Sequence, residues 1–424
     1  MSDAPEADGN DVPLLRLADG LPDVIDTEKA LAAYCDRIAD GRGPVAIDAE
    51  RASGYRYSNR AYLIQIKRSG AGIGLIDPTP FESLAPLQEA IGDEEWILHA
   101  ATQDLPCLHE VGLHPSSLFD TELAGRLLHY PRVGLATLVE TLLGVHLLKE
   151  HSAVDWSTRP LPEPWLEYAA LDVEVLVELR DLLSEQLADS HKADWAGQEF
   201  EHLRGFEPAH RVDAWRRTSG LHKVRGRRSL AAVKALWETR DRIARERDVT
   251  PGRLIPDSAL VAAAIAMPTN RGALMGTDGF HGRGASRHAK DWLAAIREAA
   301  ELPEDDLPAR GNRTDGPPPP RAWADRDPVA ARRLEIARAS VSEIAEDKDL
   351  PVENLLTPDH LRRAMWTPPS TREPVALLEG LIDQLTALGS RGWQVGLTGP
   401  ALARAVLEAE DAGSGSSGGT DSGD

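Results

Sequence analysis

Three short apolar runs constrain this chain most: PVAIDAE (44–50), AYLIQIK (61–67) and GIGLIDP (72–78). Each is too short for a helix, and turn residues separate them, SG at 53–54 and SGAG at 69–72. The pattern predicts a three-strand meander. EEWILHA (94–100) reads as a fourth strand, and ATQDLPCLHEVG as a helix ending at Gly112. FDTELAGRLLHY (119–130) and GLATLVETLLG (134–144) have helical apolar spacing. PEPWLEYAALDVEVLVELRDLLSEQL (162–187) reads as one long helix with prolines at its start, where proline is tolerated. Strands followed by helices predict a mixed sheet covered by helices.

Beyond about residue 190 the pattern is helical throughout, interrupted by RTDGPPPPRAWADRD (313–327). Across that break, DRIARERDVTPGRLIPDSAL (241–260) aligns without gaps to SEIAEDKDLPVENLLTPDHL (342–361). Ile243 matches Ile344, Asp248 matches Asp349, and Leu254 matches Leu355. Two small helical domains of one type are expected. The boundaries expected are a disordered acidic terminus (1–20), a strand-rich domain (21–190), a basic helical linker (191–226), a helical domain (227–302), a Pro-rich linker (303–326), a second helical domain (327–410) and a flexible tail (411–424).

The net charge is −21, which taken alone argues against broad nucleic-acid affinity. The charge is uneven, however. Residues 215–230 carry Arg216, Arg217, Lys223, Arg225, Arg227 and Arg228 with no acid among them. Within a Debye length of about 10 Å such a stretch can hold phosphates, or it can be a solvated linker. No stretch is long and apolar enough to span a membrane. The start carries no basic-then-apolar leader pattern, and Cys35 and Cys107 make no disulfide framework, so a reducing cytoplasm is expected.

The first apolar run ends on two acids, Asp48 and Glu50. A strand's period of two puts both on one face, where like charges 4 Å apart repel by about 4 kcal/mol at an effective dielectric near 20. Asp104 begins the helix after WILHA, and Tyr168 and Asp172 share a helix face at i, i+4. Each feature alone is common. Together, four carboxylates from one strand and two helices can converge on two divalent cations, Mg²⁺ or Mn²⁺, which prefer hard oxygen ligands. Such ions would remove the repulsion and support phosphoryl displacement.

With these residues in hand, the chain resembles the DEDDy branch of 3′–5′ exonucleases, the ribonuclease D type above all. AIDAE, HAATQDL and YAALDV resemble that family's three motifs, and LLKEHSAVDWSTRPLP resembles the segment before the third. The helical pair resembles HRDC (helicase and RNase D C-terminal) domains. The resemblance implies an α/β, RNase H-like exonuclease domain followed by two small all-α HRDC-type domains. It implies Asp48, Glu50, Asp104 and Asp172 as metal ligands and Tyr168 as the residue positioning water. It also implies hydrolysis of nucleotides from RNA 3′ ends, tRNA precursors foremost. The competing readings are a single-strand DNA exonuclease and a non-catalytic nucleic-acid scaffold.

Further substrate contacts have two readings each. Gln65 either reaches the site or is a core amide. His99 either meets a terminal nucleotide or bonds the backbone. Arg51, Tyr55 and Arg56 in RASGYRYSNRAY mix cations with aromatics, as phosphate contact and base stacking require. Lys149 and Arg159 flank HSAVDW and are candidates for holding phosphates.

Overall fold

The computed structural model of the protein describes residues 12–415 apart from 148–150, 152, 210–211 and 312–315. Six strands form one sheet in the order β1-β4-β3-β2-β5-β6. They are β1 (Val24–Ile25), β2 (Arg42–Arg51), β3 (Ala61–Ser69), β4 (Gly72–Ile76), β5 (Glu95–Leu98) and β6 (Ser117–Asp120). The expected meander is present: β2, β3 and β4 pair antiparallel, with Asp48 opposite Gln65. β5 joins β2 in parallel, and β6 joins β5.

β6 takes Phe119 and Asp120 from the run read as helical. The apolar pattern there is only four residues long, too short to separate strand from helix. Asp120 then caps the helix that follows, accepting from the Glu122 and Leu123 amides.

The nuclease helices are α1 (Glu28–Ala39), α2 (Ala85–Ile91), α3 (Leu105–Glu110), α4 (Thr121–Leu127), α5 (Leu135–Leu143), α6 (Glu163–Glu174), α7 (Leu176–Asp189) and α8 (Ala193–Arg204). Alternation along β2 sorts the two faces of the sheet. Val45, Ile47 and Ala49 pack with Leu31 and Ile38 of α1 and Leu87 and Ile91 of α2. Ala46, Asp48 and Glu50 face the other way, where Ala46 joins Val173, Leu176 and Leu179. The two acids therefore lie on the α6–α7 side.

The single long helix expected over 162–187 is two, α6 and α7, separated at Val175. The Glu174 carbonyl accepts Lys67 Nζ at 2.7 Å, and the Glu174 carboxylate pairs with the same amine at 2.9 Å. A side chain 107 residues away in sequence thus takes a helix carbonyl at the break.

The termini also differ from expectation. Within the stretch expected to be disordered, 1–11 lies outside the described residues, but Leu15 N donates to the His146 carbonyl at 2.9 Å. α8 lies in the expected linker, yet its Phe200 packs on Phe119 with ring centroids 4.7 Å apart, so it belongs to the nuclease core.

The first helical domain contains α9 (Arg227–Glu246), α10 (Pro251–Leu254), α11 (Asp257–Ala266), α12 (Arg271–Met275), α13 (Gly282–Arg287) and α14 (Ala289–Glu301). The second contains α15 (Trp323–Arg326), α16 (Pro328–Asp347), α17 (Val352–Leu355), α18 (Pro358–Trp366), α19 (Pro374–Ala387) and α20 (Gly392–Gly415). α9 and α16 have the same length, as do α10 and α17. The Pro-rich linker is packed at its end: Trp323 is fully buried and donates to the Pro318 carbonyl at 2.7 Å. α20 runs through the expected start of the tail to Gly415; 416–424 lie outside the described residues. Among the described residues, no helix is long and apolar enough to cross a membrane.

Candidate active site

A cleft of about 280 Å³ is lined by Asp48, Ala49, Glu50, Arg51, His99, Gln103, Asp104, Leu135, Tyr168, Asp172 and Leu176. β2 supplies the first two acids, the turn after β5 supplies Asp104, and α6 supplies Tyr168 and Asp172. Asp48, Glu50 and Asp172 each offer a carboxylate oxygen, all within 4.8 Å of one another. Asp104 lies outside that triplet: Arg51 Nη2 is 3.6 Å from its Oδ1, and its carboxyl faces that of Asp48.

The electrostatics follow from burial first and mutual repulsion second. Burial pushes the Glu50 carboxyl up to about 10, and the charges of Asp48, Asp172 and Asp104 act the same way. Asp104 and Asp172 are raised by burial and then by Asp48. Asp48 is raised by burial against the opposing pull of the Ala49 amide and Arg51. Tyr168 is raised by burial and then by Asp172, Glu50 and Asp48, so its phenol keeps its proton. Burial pulls His99 down to about 4, so its ring is neutral at physiological pH; Nδ1 lies 2.9 Å from Thr121 Oγ1. Unpaired buried carboxylates at this density are costly without a cation.

Asp120 is a residue that sequence reasoning missed. Its carboxylate accepts the Ala100 and Ala101 amides at 3.2 and 2.8 Å as well as the two cap amides of α4. Ala100 has φ of +61°, and this held turn carries Asp104 into the cleft. The signal was an Asp followed by Thr and Glu, an N-cap pattern.

A model of the 3′-5′ exonuclease domain matches residues 22–188. An HRDC domain model matches 229–296, and a 3′ to 5′ exonuclease C-terminal domain model matches 316–406. Ribonuclease D of Cronobacter turicensis is 34% identical over 291 residues, covering 67% of this chain and 78% of that protein. The chain belongs to the ribonuclease D family. It is a 3′–5′ exonuclease.

Ribonuclease D of Escherichia coli is 32% identical over 294 residues, 67% of this chain and 76% of that protein. Its crystal structure superimposes with a TM-score of 0.66 at 28% identity, covering 91% of this chain and 98% of that one. A protein from Bifidobacterium adolescentis superimposes with a TM-score of 0.84 at 38% identity, covering 93% and 99%. The HRDC model covers only the first helical domain. The second matches a family model of its own, although the sequences repeat.

The structure corrects several substrate contacts expected for this ribonuclease D relative. Arg159 spends all five N–H donors on protein: Nε and Nη2 on Asp77 at 2.5 and 2.8 Å, Nη1 on the Trp156 and Thr158 carbonyls, and Nη2 on the Tyr62 carbonyl. It is a structural clasp with no donor left for phosphate. Gln65 is fully buried opposite Asp48 and lines no part of the cleft; its amide atoms have no protein partner. His99 and Arg51 do line the cleft. Tyr55 and Arg56 lie in the loop beyond it, with Arg56 Nε on Ser157 Oγ at 2.8 Å. Lys149 lies outside the described residues.

The basic stretch divides in two. Arg216 pairs with Asp213 and lies 4.4 Å from the Trp215 ring centroid. Arg227 donates to the Leu307 and Pro308 carbonyls, and Arg228 to those of Ala299, Ala300 and Leu302 and to Glu304. These three are structural, because the chain after α14 folds back on them. Arg217, Lys223 and Arg225 are exposed, and their side chains have no hydrogen bond or ion pair among the described residues.

Proposed function

We propose that this exonuclease acts on the 3′ ends of structured RNA, tRNA precursors foremost, and releases nucleoside 5′-monophosphates. The observation that carries the reading is the meeting of the Asp48, Glu50 and Asp172 oxygens within 4.8 Å, with Asp104 alongside. The donor set fits Mg²⁺ or Mn²⁺, being all hard oxygen and repelling itself when charged. Asp48, Glu50, Asp104 and Asp172 are the residues that would hold two such ions. Bound there, the ions would supply positive charge to the phosphate's developing negative charge.

The other groups prepare substrate and water. Tyr168 keeps its proton and so orients the attacking water by hydrogen bonding rather than by acting as a base. Arg51 offsets the charge of Asp104 from the opposite wall. His99 is neutral and presents a hydrogen-bonding ring to the cleft without adding charge. The RNA assignment draws on the Escherichia coli relative, described as an exoribonuclease involved in structured RNA processing.

The test uses 5′-labelled RNA and DNA of one sequence with Mg²⁺ or Mn²⁺. Wild type is expected to yield a ladder shortened from the 3′ end, faster on RNA. Asp48→Asn and Asp172→Asn are expected to lose about 10²–10³-fold in rate, the scale for removing a principal electrostatic contributor. Faster turnover of DNA would reverse the substrate assignment. Undiminished cleavage by both variants would remove these carboxylates from the chemistry.

A further inference from the structure

The first helical domain grips the nuclease at one loop. Asp248, in the turn after α9, accepts the Tyr57 and Ser58 amides on Oδ1 at 3.1 and 3.0 Å. The Tyr57 hydroxyl donates to Asp241 at 2.9 Å and accepts from Arg245 Nη2 at 3.1 Å. The Thr250 amide donates to the Tyr55 carbonyl at 3.0 Å. Arg253 Nε donates to the Gly54 carbonyl at 2.9 Å, and its guanidinium lies 4.0 Å from the Tyr55 ring centroid. All these contacts fall on Gly54–Ser58, the loop that leaves β2 directly after Glu50 and Arg51.

The loop lies outside the cleft but shares an apolar cluster with its wall. Tyr55 packs in the apolar cluster that holds Trp156, Trp165 and Tyr168. Arg56 ties the same loop to Ser157, which bonds Asp155 at 2.5 Å. A continuous run of contacts therefore leads from the Asp248 turn through the loop to the wall beside Tyr168. Asp248 has φ of +44°, a left-handed conformation that aspartate, asparagine and glycine tolerate. Its repeat partner Asp349 has φ of +49° and also meets the nuclease, but elsewhere: His129 Nδ1 at 2.6 Å and, through its carbonyl, Lys192 Nζ at 2.8 Å.

We propose that Asp248 is a positioning residue for exonucleolysis: its turn holds the Gly54–Ser58 loop and, through Tyr55, the wall that sets Tyr168. The first helical domain then serves the reaction step as a brace, in addition to any hold on RNA. The inference rests on the reading that Tyr168 orients water. Its counterpart Asp349 uses the same turn only to fasten the second domain.

The test uses the full chain with Asp248→Gly, which removes the carboxylate without straining the left-handed turn, and Asp248→Asn, which keeps an acceptor. The substrates are an RNA trinucleotide and a structured RNA. Asp248→Gly is expected to lower kcat about tenfold on both, the scale of one hydrogen bond to a charged group, with KM little changed. Asp248→Asn should stay within about twofold of wild type, and Asp349→Gly should match wild type on the trinucleotide. Amide hydrogen exchange should show Tyr57 and Ser58 losing protection in Asp248→Gly alone. Wild-type kcat on the trinucleotide, unchanged exchange, or failure of Asp248→Asn to rescue would each overturn the proposal. If wild type cuts neither RNA, the substrate reading fails, while the exchange measurement still decides whether the brace exists.

Discussion

The two helical domains share a repeated helix–turn–helix stretch and attach in opposite ways. The first has its own core around Leu236, Phe280 and Trp292, and Tyr57 of the nuclease packs against it. Among the described residues, its hydrogen bonds to the nuclease fall on the Gly54–Ser58 loop. The second shares one apolar cluster with the nuclease, running from Leu176 and Leu183 of α7 and Phe200 of α8 to Leu334 of α16 and Leu402 of α20. Trp195 stacks on Trp393 at 5.0 Å, and buried Glu199 binds Arg391 at 2.6 Å and the Trp393 indole at 2.9 Å. A repeated fold thus does not dictate a repeated interface. The second domain completes the nuclease's core, while the first is a brace held by hydrogen bonds beside the cleft.

The largest test of that contrast is thermodynamic. Glu199→Ala would strand a partly buried guanidinium and an indole N–H, and removal of one partner of such a pair costs about 3–5 kcal/mol. Asp248→Gly breaks bonds at a half-exposed turn and should cost about 1 kcal/mol. Denaturant midpoints of the two variants measure the difference. Equal losses would mean that the first domain is as much a part of the core as the second.

A second contrast sets Glu199 against Glu50. Glu199 has a cation in direct contact, whereas Glu50 is pushed from near 4.5 up to about 10 by burial first and by three neighbouring carboxylates second. In the metal-free fold the proton is held by the native state and released by the unfolded chain. The protonated form's contribution is complete below about 4.5 and is lost as pH rises through about 10. Metal-free stability should therefore fall between pH 6 and 8.5. If Mg²⁺ takes the place of the proton, the gain in unfolding midpoint over chelator-treated protein should grow with pH. A gain of the same size at both pH values would break the electrostatic account of the cleft.

The acidic cluster was legible because most of its spacing is local. Asp48 and Glu50 obey the strand period, and Tyr168 and Asp172 the helical one. What escaped was set by partners far along the chain. Lys67 ends α6 at a place that no local pattern marks. Arg159 reads as a phosphate ligand until Asp77, 82 residues away, is seen to fill its fork. Gln65 faces the acids' side of the sheet by period, yet depth under α6 keeps it from the cleft. The alternation also concealed β6, whose four residues carry less signal than the cap that follows. The repeat told of two like domains and nothing of their docking, because matched positions meet different partners: Asp248 takes the Tyr57 and Ser58 amides, whereas Asp349 meets His129 and Lys192.

The smallest expected effect divides the basic stretch. Arg216, Arg227 and Arg228 are committed to Asp213, to the carbonyls after α14 and to Glu304, so their charge fastens the first domain. The side chains of Arg217, Lys223 and Arg225 are exposed and have no hydrogen-bond or ion-pair partner among the described residues. If the first domain also holds RNA, these three cations supply the hold. Replacing all three by alanine should lower the slope of log affinity against log salt by about 2, taking about 0.7 per phosphate contact on single strands. The unfolding midpoint should not move, since no bond within the fold is lost. Alanine at Arg227 and Arg228 should do the reverse, lowering the midpoint and leaving the slope near wild type. An unchanged slope in the first variant would leave the domain with a bracing role alone, and the contrast between the two helical domains would then be one of attachment rather than of RNA contact.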